Sequence, residues 1–356
     1  MKHKIWLDEV DSTLDDAARR YTAERYRLEA RQRMDSAERR FSAGVWRDIA
    51  DMGWLSVSTP EECGGLGLRV ASICLLAEVA GRSLMTEPLT STGVLAPHLI
   101  ARHGSDAQRE ALLPRLLRGD LRVACLLDAD AFHVETGRLS GGKPVAIDAD
   151  IAECFIVQAD HGLWLVDAQA HGVMRKPFPL LDGRGAASVT LECASATRLG
   201  GSDPCDVRQA LLLASLTTAA DSHGAMTAAF ELTLDHLKTR RQFGMPLGAN
   251  QALQHRAVDM YIALAESRAV LDQAIDSLQA GAAQAARDVL AAKSLVCDSA
   301  RRVTQEAVQL HGGIGVTDEY AVSHCLRRAR VNEQLWGSAE QHFLAFAATS
   351  VPSEHP

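Results

Sequence analysis

The chain has 356 residues, 47% of them hydrophobic and 23% charged, with a net charge of −8. That length accommodates two or three compact domains, and the negative charge argues against a nucleic-acid binder, which normally carries a basic face. No apolar run approaches the roughly 20 residues needed to cross a bilayer, and no apolar signal-peptide core follows the lysines of MKHKIWLDEVDST. Eight cysteines, at 63, 74, 125, 154, 193, 205, 297 and 325, form no CxxC pair and no Cys/His cluster with zinc spacing. They read as buried thiols of a cytoplasmic protein without a metal.

Residues 9 to 120 are expected to be mainly helical. In SAGVWRDIADMGW (42–54), Val45, Trp46, Ile49 and Met52 recur near helical spacing behind a Ser42 N-cap. RVASICLLAEVAGRSL (69–84) and SDAQREALLPRLLRGD (105–120) read as further amphipathic helices, and TPEECGGLG (59–67) as a turn. Between about 121 and 200, the runs RVACLLD, ECFIVQA, GLWLVDA and ASVTLEC are short and β-rich, with turn formers between them. They predict a compact antiparallel β domain. From about 205 the pattern is helical again: 206–239 holds no proline and one glycine, Gly224, and 250–281 and 284–310 are equally long. Such lengths suit a bundle of long antiparallel helices. The expected fold is therefore α+β, with an N-terminal α-helical domain (1–120), a middle antiparallel β domain (121–202) and a C-terminal long four-helix bundle (203–356).

LKTRRQFGMPLGANQALQH (237–255) breaks a helix abruptly at Arg-Gln-Phe-Gly. Basic residues at a helix C-terminus complement the macrodipole, and Gly244 with Pro246 is an ordinary stop signal; Arg241 needs no more explanation than this. A second segment, QEAVQLHGGIGVTDEYAVSHCLRRAR (305–330), ends another long helix at His311-Gly312-Gly313. Consecutive glycines let backbone amides approach an anion, and a nest of N–H groups can hold a pyrophosphate. The pattern is not GxGxxG after a strand, so a Rossmann site is unsupported. Cation, amides, aromatic ring and bare backbone together suit a dinucleotide.

RRQFGMPLGANQ, QLHGGIG and EYAVSHCLRRAR resemble, in order, signatures of the acyl-CoA dehydrogenase family of flavoproteins. WRDIADMGWLSVSTPEECGGLGL, EVAGRSLMTEPL and LSGGKPVAIDADIAECFIVQADHGLWLVDAQAHGV resemble it too, so the similarity covers nearly the whole chain. The resemblance implies FAD lying between the middle and C-terminal domains, its ADP half contacted by a neighbouring subunit, usually in a dimer of dimers. By position it assigns Arg240, Gln242 and Phe243 to the pyrophosphate and adenine part. Asn250, Gln251 and the stretch Gln309, Leu310, His311, Gly312 and Gly313 continue that contact, and Ser338 with Glu340 matches a further cofactor position.

The family reaction removes a proton from the α-carbon of an acyl-CoA while hydride leaves the β-carbon, and a carboxylate acts as base. In most members this is a glutamate before a Gly-Thr-Ser-like turn; VNEQLWGSAEQHF places Trp336 there. Indole donates a hydrogen bond but takes up no proton at neutral pH. Other members put the glutamate early in the first long C-terminal helix, which aligns here with Ala214. No catalytic residue is therefore assigned. Glu333, three residues before Trp336, is a candidate stand-in, with a solvated helix-boundary carboxylate as the plainer reading. Asp221, beside His223 in an apolar stretch, is another, with a structural pair as its competitor. His311 reads as a cofactor-loop or interface histidine. The family's Thr-Glu-Pro-x-x-Gly-Ser-Asp-like loop is absent from VACLLDADAFHVETGRLSGG, and Arg328 stands where the late Arg-Asp-Ala motif has its aspartate.

The resemblance includes heteromeric enzymes in which one chain carries the base and its partner lacks it, a pattern associated with bulky sterol or bile-acid CoA thioesters. The leading expectation is such a subunit, FAD-linked and acting in α,β-desaturation. Its partners would be the acyl-CoA substrate, a homologous subunit in a heterotetramer or homotetramer, and an electron-transferring flavoprotein or similar acceptor, with no nucleic acid and no membrane. Two alternatives stand beside it: a homo-oligomeric flavoenzyme with a displaced base or with hydroxylase- or nitroalkane-oxidase-like chemistry, and a scaffold subunit without flavin.

Overall fold

A computed structural model describes residues 8–33, 40–127, 130–201, 206–242 and 244–350. Helices α1 (Glu9–Arg25), α2 (Leu28–Arg33), α3 (Ala43–Asp51) and α4 (Val70–Ser83) precede a π-helical segment (Leu89–Leu95), α5 (Ala96–His103) and α6 (Asp106–Leu117). Strands follow: β1 (Val123–Leu126), β2 (Phe132–Glu135), β3 (Arg138–Ile147), β4 (Cys154–Ala159), β5 (Gly162–Asp167), β6 (Val173–Pro179), β7 (Gly185–Ser195) and β8 (Thr197–Arg198). Helices α7 (Arg208–Thr239), α8 (Gln251–Gln279), α9 (Ala285–His311), α10 (Ala321–Asn332) and α11 (Ala339–Ser350) complete the chain, with a small hairpin of β9 (Arg241–Gln242) and β10 (Met245–Pro246) after α7. The helical, sheet, helical order is the expected one. Residues within 8–33, 70–85 and 215–350 form one compact unit, and those within 40–69 and 86–214 form another. The division at 120/121 and 202/203 follows the change of texture along the chain and stands as our proposal for its folding domains.

In the second unit, ECFIVQA is apolar without alternation, as a strand covered on both faces should be. Accordingly Phe155, Ile156 and Val157 of β4 have no exposed surface. One sheet has the order β1-β4-β5-β8 and the other β2-β3-β7-β6, and Leu126, Leu139, Phe155, Val157, Val189 and Leu191 share one core. The pairing is antiparallel except between β1 and β4, which run parallel with Val123 opposite Cys154. No hairpin joins those two strands, so no tight turn imposes the antiparallel direction.

Ser42 caps α3 by accepting from the Val45 N–H, and Val45, Trp46 and Ile49 are buried. Met52, expected on the same face, is 38% exposed because the helix ends before it. A Ser105–Gln108 capping box starts α6. The described cysteines are free, but Cys193 is exposed and Cys63 and Cys154 are half-buried, against the expectation of uniformly buried thiols; Cys205 lies outside the described residues. Among the described residues no helix is long and apolar enough to cross a membrane, and no cluster of metal-ligating side chains occurs.

In the first unit, α9 buries Val289, Ala292, Val296, Ala300, Val303 and Ala307 along one stripe. Small residues let α4 and α7 touch backbone to backbone. A Cβ on Gly81 would lie 1.9 Å from the Asp221 carbonyl oxygen, and one on Gly224 would lie 2.0 Å from that of Glu78. Beside this crossing, Arg328 of α10 donates through Nε and Nη2 to the two Asp221 carboxylate oxygens, each at 2.8 Å. The Asn332 amide donates to Asp221 Oδ1 at 2.6 Å, and Arg328 Nη2 also donates to the Met85 carbonyl. Arg328, anomalous against the family motif, is thus the counter-ion of Asp221.

Gly224→Ala is expected to cost about 2–3 kcal/mol, because backbone must move to admit the methyl group. Asp221→Asn keeps the shape but strands a buried guanidinium, at about 3–5 kcal/mol. Denaturant unfolding midpoints check both; a change within about 0.5 kcal/mol of wild type would contradict the packing described.

Candidate functional site

At the end of α7 the Arg240 N–H donates to the His236 carbonyl, and the Leu247 N–H donates to the Arg240 carbonyl, both at 2.9 Å. The chain therefore closes a short loop against the helix end. Inside it, β9 pairs with β10 around Gly244 at φ +81, a left-handed conformation that favours glycine. Phe243 lies outside the described residues. The side chains of Arg240, Gln242 and Gln251 are exposed. Asn250 is occupied locally: its Oδ1 accepts from the Ala252 N–H at 3.0 Å as the N-cap of α8.

The other segment is the end of α9. Gly312 sits at φ +66, ψ −142, and its N–H returns to the Gln309 carbonyl, so part of the expected amide nest is already satisfied. A Cβ on Gly312 or Gly313 would meet nothing within 4 Å, so this turn faces open space. Gln309 is exposed, whereas Leu310 is buried in the core and offers a ligand its backbone only.

Aromatic rings join the two segments. His236 of α7 stacks on His311 of α9 with centroids 4.4 Å apart, and Tyr320 packs on His311 at 5.0 Å. His311 is 5% exposed, and its Nδ1 donates to the Ala307 carbonyl at 2.8 Å. Burial lowers its proton affinity although the Ala307 and Leu232 carbonyls favour the charged form. Burial, His311 and Arg240 lower that of His236. Burial and then Asp235 raise the pKa of Tyr320. The two helix ends that meet at these rings carry an exposed guanidinium, the amides of Gln242 and Gln309 and an open glycine turn. Such donors suit phosphate oxygens.

A second place of interest is the turn from α10 to α11. Trp336 is half-buried at φ +59 and is followed by Gly337 at φ +101. The Ser338 N–H donates to Gln341 Oε1 at 2.8 Å and the Gln341 N–H to Ser338 Oγ at 3.1 Å, so the Ser338 hydroxyl is taken up in capping α11. Glu340 is exposed in the first turn of α11, where the helix dipole favours a carboxylate. Beneath the turn, fully buried Lys293 donates to the Asn332 carbonyl at 2.5 Å. His342 Nδ1 donates to the Ser338 carbonyl at 2.9 Å, with Nε2 3.2 Å from Ser215 Oγ. Burial chiefly, opposed by the Ser338 carbonyl and helped by Lys293, keeps His342 neutral to lower pH.

The candidate bases are committed elsewhere. Glu333 lies between Arg330 at 3.0 Å and Arg301 at 3.8 Å. Both Asp221 oxygens accept from Arg328, and one also from Asn332. His223 is buried 3.7 Å from Glu78, and Ala214 has no exposed surface. β1 ends at Leu126 and β2 begins at Phe132, so the connection that replaces the family loop is short; residues 128 and 129 lie outside the described residues.

Sequence reasoning passed over His236, Tyr320, Lys293 and His342. Lys293 carried a signal, because it falls on the apolar stripe of α9 beside Ala292 and Val296. His236 carried only its place one helical turn before Arg240.

Sequence models of "Acyl-CoA dehydrogenase, N-terminal domain" and "Acyl-CoA dehydrogenase, C-terminal domain" match residues 8–120 and 206–350. Acyl-CoA dehydrogenase IpdE2 of Mycolicibacterium smegmatis is 29% identical over 299 residues, covering 83% of this chain and 85% of that protein. Acyl-CoA dehydrogenase FadE27 of Mycobacterium tuberculosis is 29% identical over 336 residues, covering 87% and 89%. Among solved structures, a variant of the Tcur3481-Tcur3483 steroid ACAD superposes with a TM-score of 0.86 at 30% identity, covering 96% of this chain and 97% of that one. The ChsE4-ChsE5 complex from Mycobacterium tuberculosis shares the fold, with a TM-score of 0.89 at 24% identity over 99% of this chain and 100% of that one. The chain therefore belongs to the acyl-CoA dehydrogenase family, FAD-dependent oxidoreductases acting on the CH–CH bond of acyl-CoA thioesters.

Proposed function

We propose that this chain is the base-deficient subunit of a heteromeric acyl-CoA dehydrogenase, acting in α,β-desaturation of a bulky, sterol- or bile-acid-like acyl-CoA. One observation carries the reading. Trp336 and Ala214 stand at the family's two base positions, and the stand-in carboxylates Asp221 and Glu333 are already held by Arg328 and by Arg330 with Arg301. Three hydrogen bonds from Arg328 and Asn332 hold the Asp221 carboxylate in a structural role, and Glu333 stands beside two guanidiniums. The proton acceptor is accordingly assigned to the partner chain. The 30% identity to a protein named a steroid ACAD, and the fold shared with a two-protein complex, support the substrate class and the heteromer.

The residues present fit FAD at the dinucleotide end. Arg240 is exposed, and the Gly312–Gly313 turn has the open space a bulkier residue would fill. FAD, when bound, supplies the two-electron acceptor for the hydride leaving the β-carbon. Arg240 would bridge pyrophosphate oxygens, Gln242 and Gln309 would offer amides, and the glycine turn would admit close backbone approach; Gln251 and the backbone at Leu310 border this surface. Ser338 and Glu340 are assigned to the cofactor by position, with the Ser338 hydroxyl shared with the helix cap. Trp336 contributes an apolar wall and one N–H donor, and it moves no proton.

Flavin per polypeptide, measured on the chain alone and with a candidate partner, tests the proposal. Little FAD alone and retention on assembly are expected; near one FAD per chain alone would overturn it. Arg240→Ala with Gln242→Ala is expected to weaken retention in the complex by about tenfold or more, the loss of a charge-assisted hydrogen bond. Trp336→Glu in the isolated chain is expected to give no acyl-CoA oxidation, and turnover would reveal a self-sufficient site.

A further inference from the structure

We infer that His236 is a positioning residue of the cofactor-contact surface: its ring, stacked on His311, holds the Arg240 end of α7 against the Gly312–Gly313 end of α9. The inference rests on the reading of that surface as the ADP contact. Covalent connection does not bring the two segments together, since the whole of α8 and α9 separates them along the chain. They meet at the 4.4 Å ring contact, with Tyr320 covering His311 from the segment before α10, and farther along the same two helices Ser222 lies against Cys297. The position of His236 is also set from below, because the His236 carbonyl accepts from the Arg240 N–H one turn on. The ring and the guanidinium thus stand one turn apart on the same helix end. A neutral, offset pair of rings is favourable at this spacing.

Two cationic rings at this spacing are not favourable. The charged and titratable groups facing the pair are Asp235 and Arg240 from α7, His311 from α9 and Tyr320 before α10, with the Ala307 and Leu232 carbonyls beside His311. Both imidazoles bind a proton less readily in the folded chain than the ordinary value of 6.5. The unfolded chain thus takes up more protons as pH falls. The stabilisation is fully present above about pH 6.5 and is lost as pH falls through that value toward the lower folded ones.

The test uses the assembled complex at pH 8, where both rings are neutral, and follows released flavin by its fluorescence. His236→Ala is expected to release FAD at least fivefold faster, and His236→Phe, which keeps a ring in the stack, to stay within twofold of wild type. In the flavin-free full chain, the thermal midpoint is expected to fall less between pH 8 and pH 5 for His236→Phe than for wild type. Equal release from His236→Ala and wild type, failure of the Phe variant to rescue, or identical pH profiles would overturn the inference. Arg240→Ala separates the two levels. If it too leaves release unchanged, the ADP-contact reading falls; if it alone speeds release, only the positioning role of His236 does.

Discussion

The ion pair between Asp221 and Arg328 is the interaction on which the C-terminal helices depend. A carboxylate and a guanidinium out of water are tolerated only when geometry satisfies nearly every donor and acceptor. Here two parallel N–H···O bonds, the Asn332 amide and the Met85 carbonyl do so. The pair sits beside the place where Gly81 and Gly224 bring α4 and α7 into backbone contact. It therefore fixes α10 relative to that crossing, and with α10 the start of the turn that carries Trp336.

The same pair bears on chemistry. Asp221, which accepts two bonds from Arg328 and one from Asn332, is committed to structure. Below the α10–α11 turn, Lys293 and His342 play a comparable part, each donating to a carbonyl that flanks Trp336. Interior polar groups on this side of the bundle serve backbone geometry.

Much of this was legible along the chain. The apolar run of β4, the Ser42 cap, the long proline-free helices and the breaks at Arg240 and His311 are local features, and local propensity and patterning specify them. The exceptions are instructive. Met52 matches the spacing of the buried face but lies just past the end of α3, and Cys193 faces solvent although thiols are mostly buried. Asn250, Leu310 and Ser338 matched cofactor positions in sequence, yet a cap, the core and a capping box claim their side chains. A motif names a position, but it does not reveal what else the side chain is doing.

By itself the sequence determined the helical, sheet, helical order, the two glycine-marked helix ends and the absence of a carboxylate at 336 and 214, because each depends on residues close together in the chain. The folded chain alone decided that Asp221 is spent on Arg328, that Glu333 is spent on two arginines, and that His236 meets His311 where the two helix ends converge. Those partners are distant in sequence or set by side-chain direction, and no periodicity or spacing encodes a contact that only packing creates.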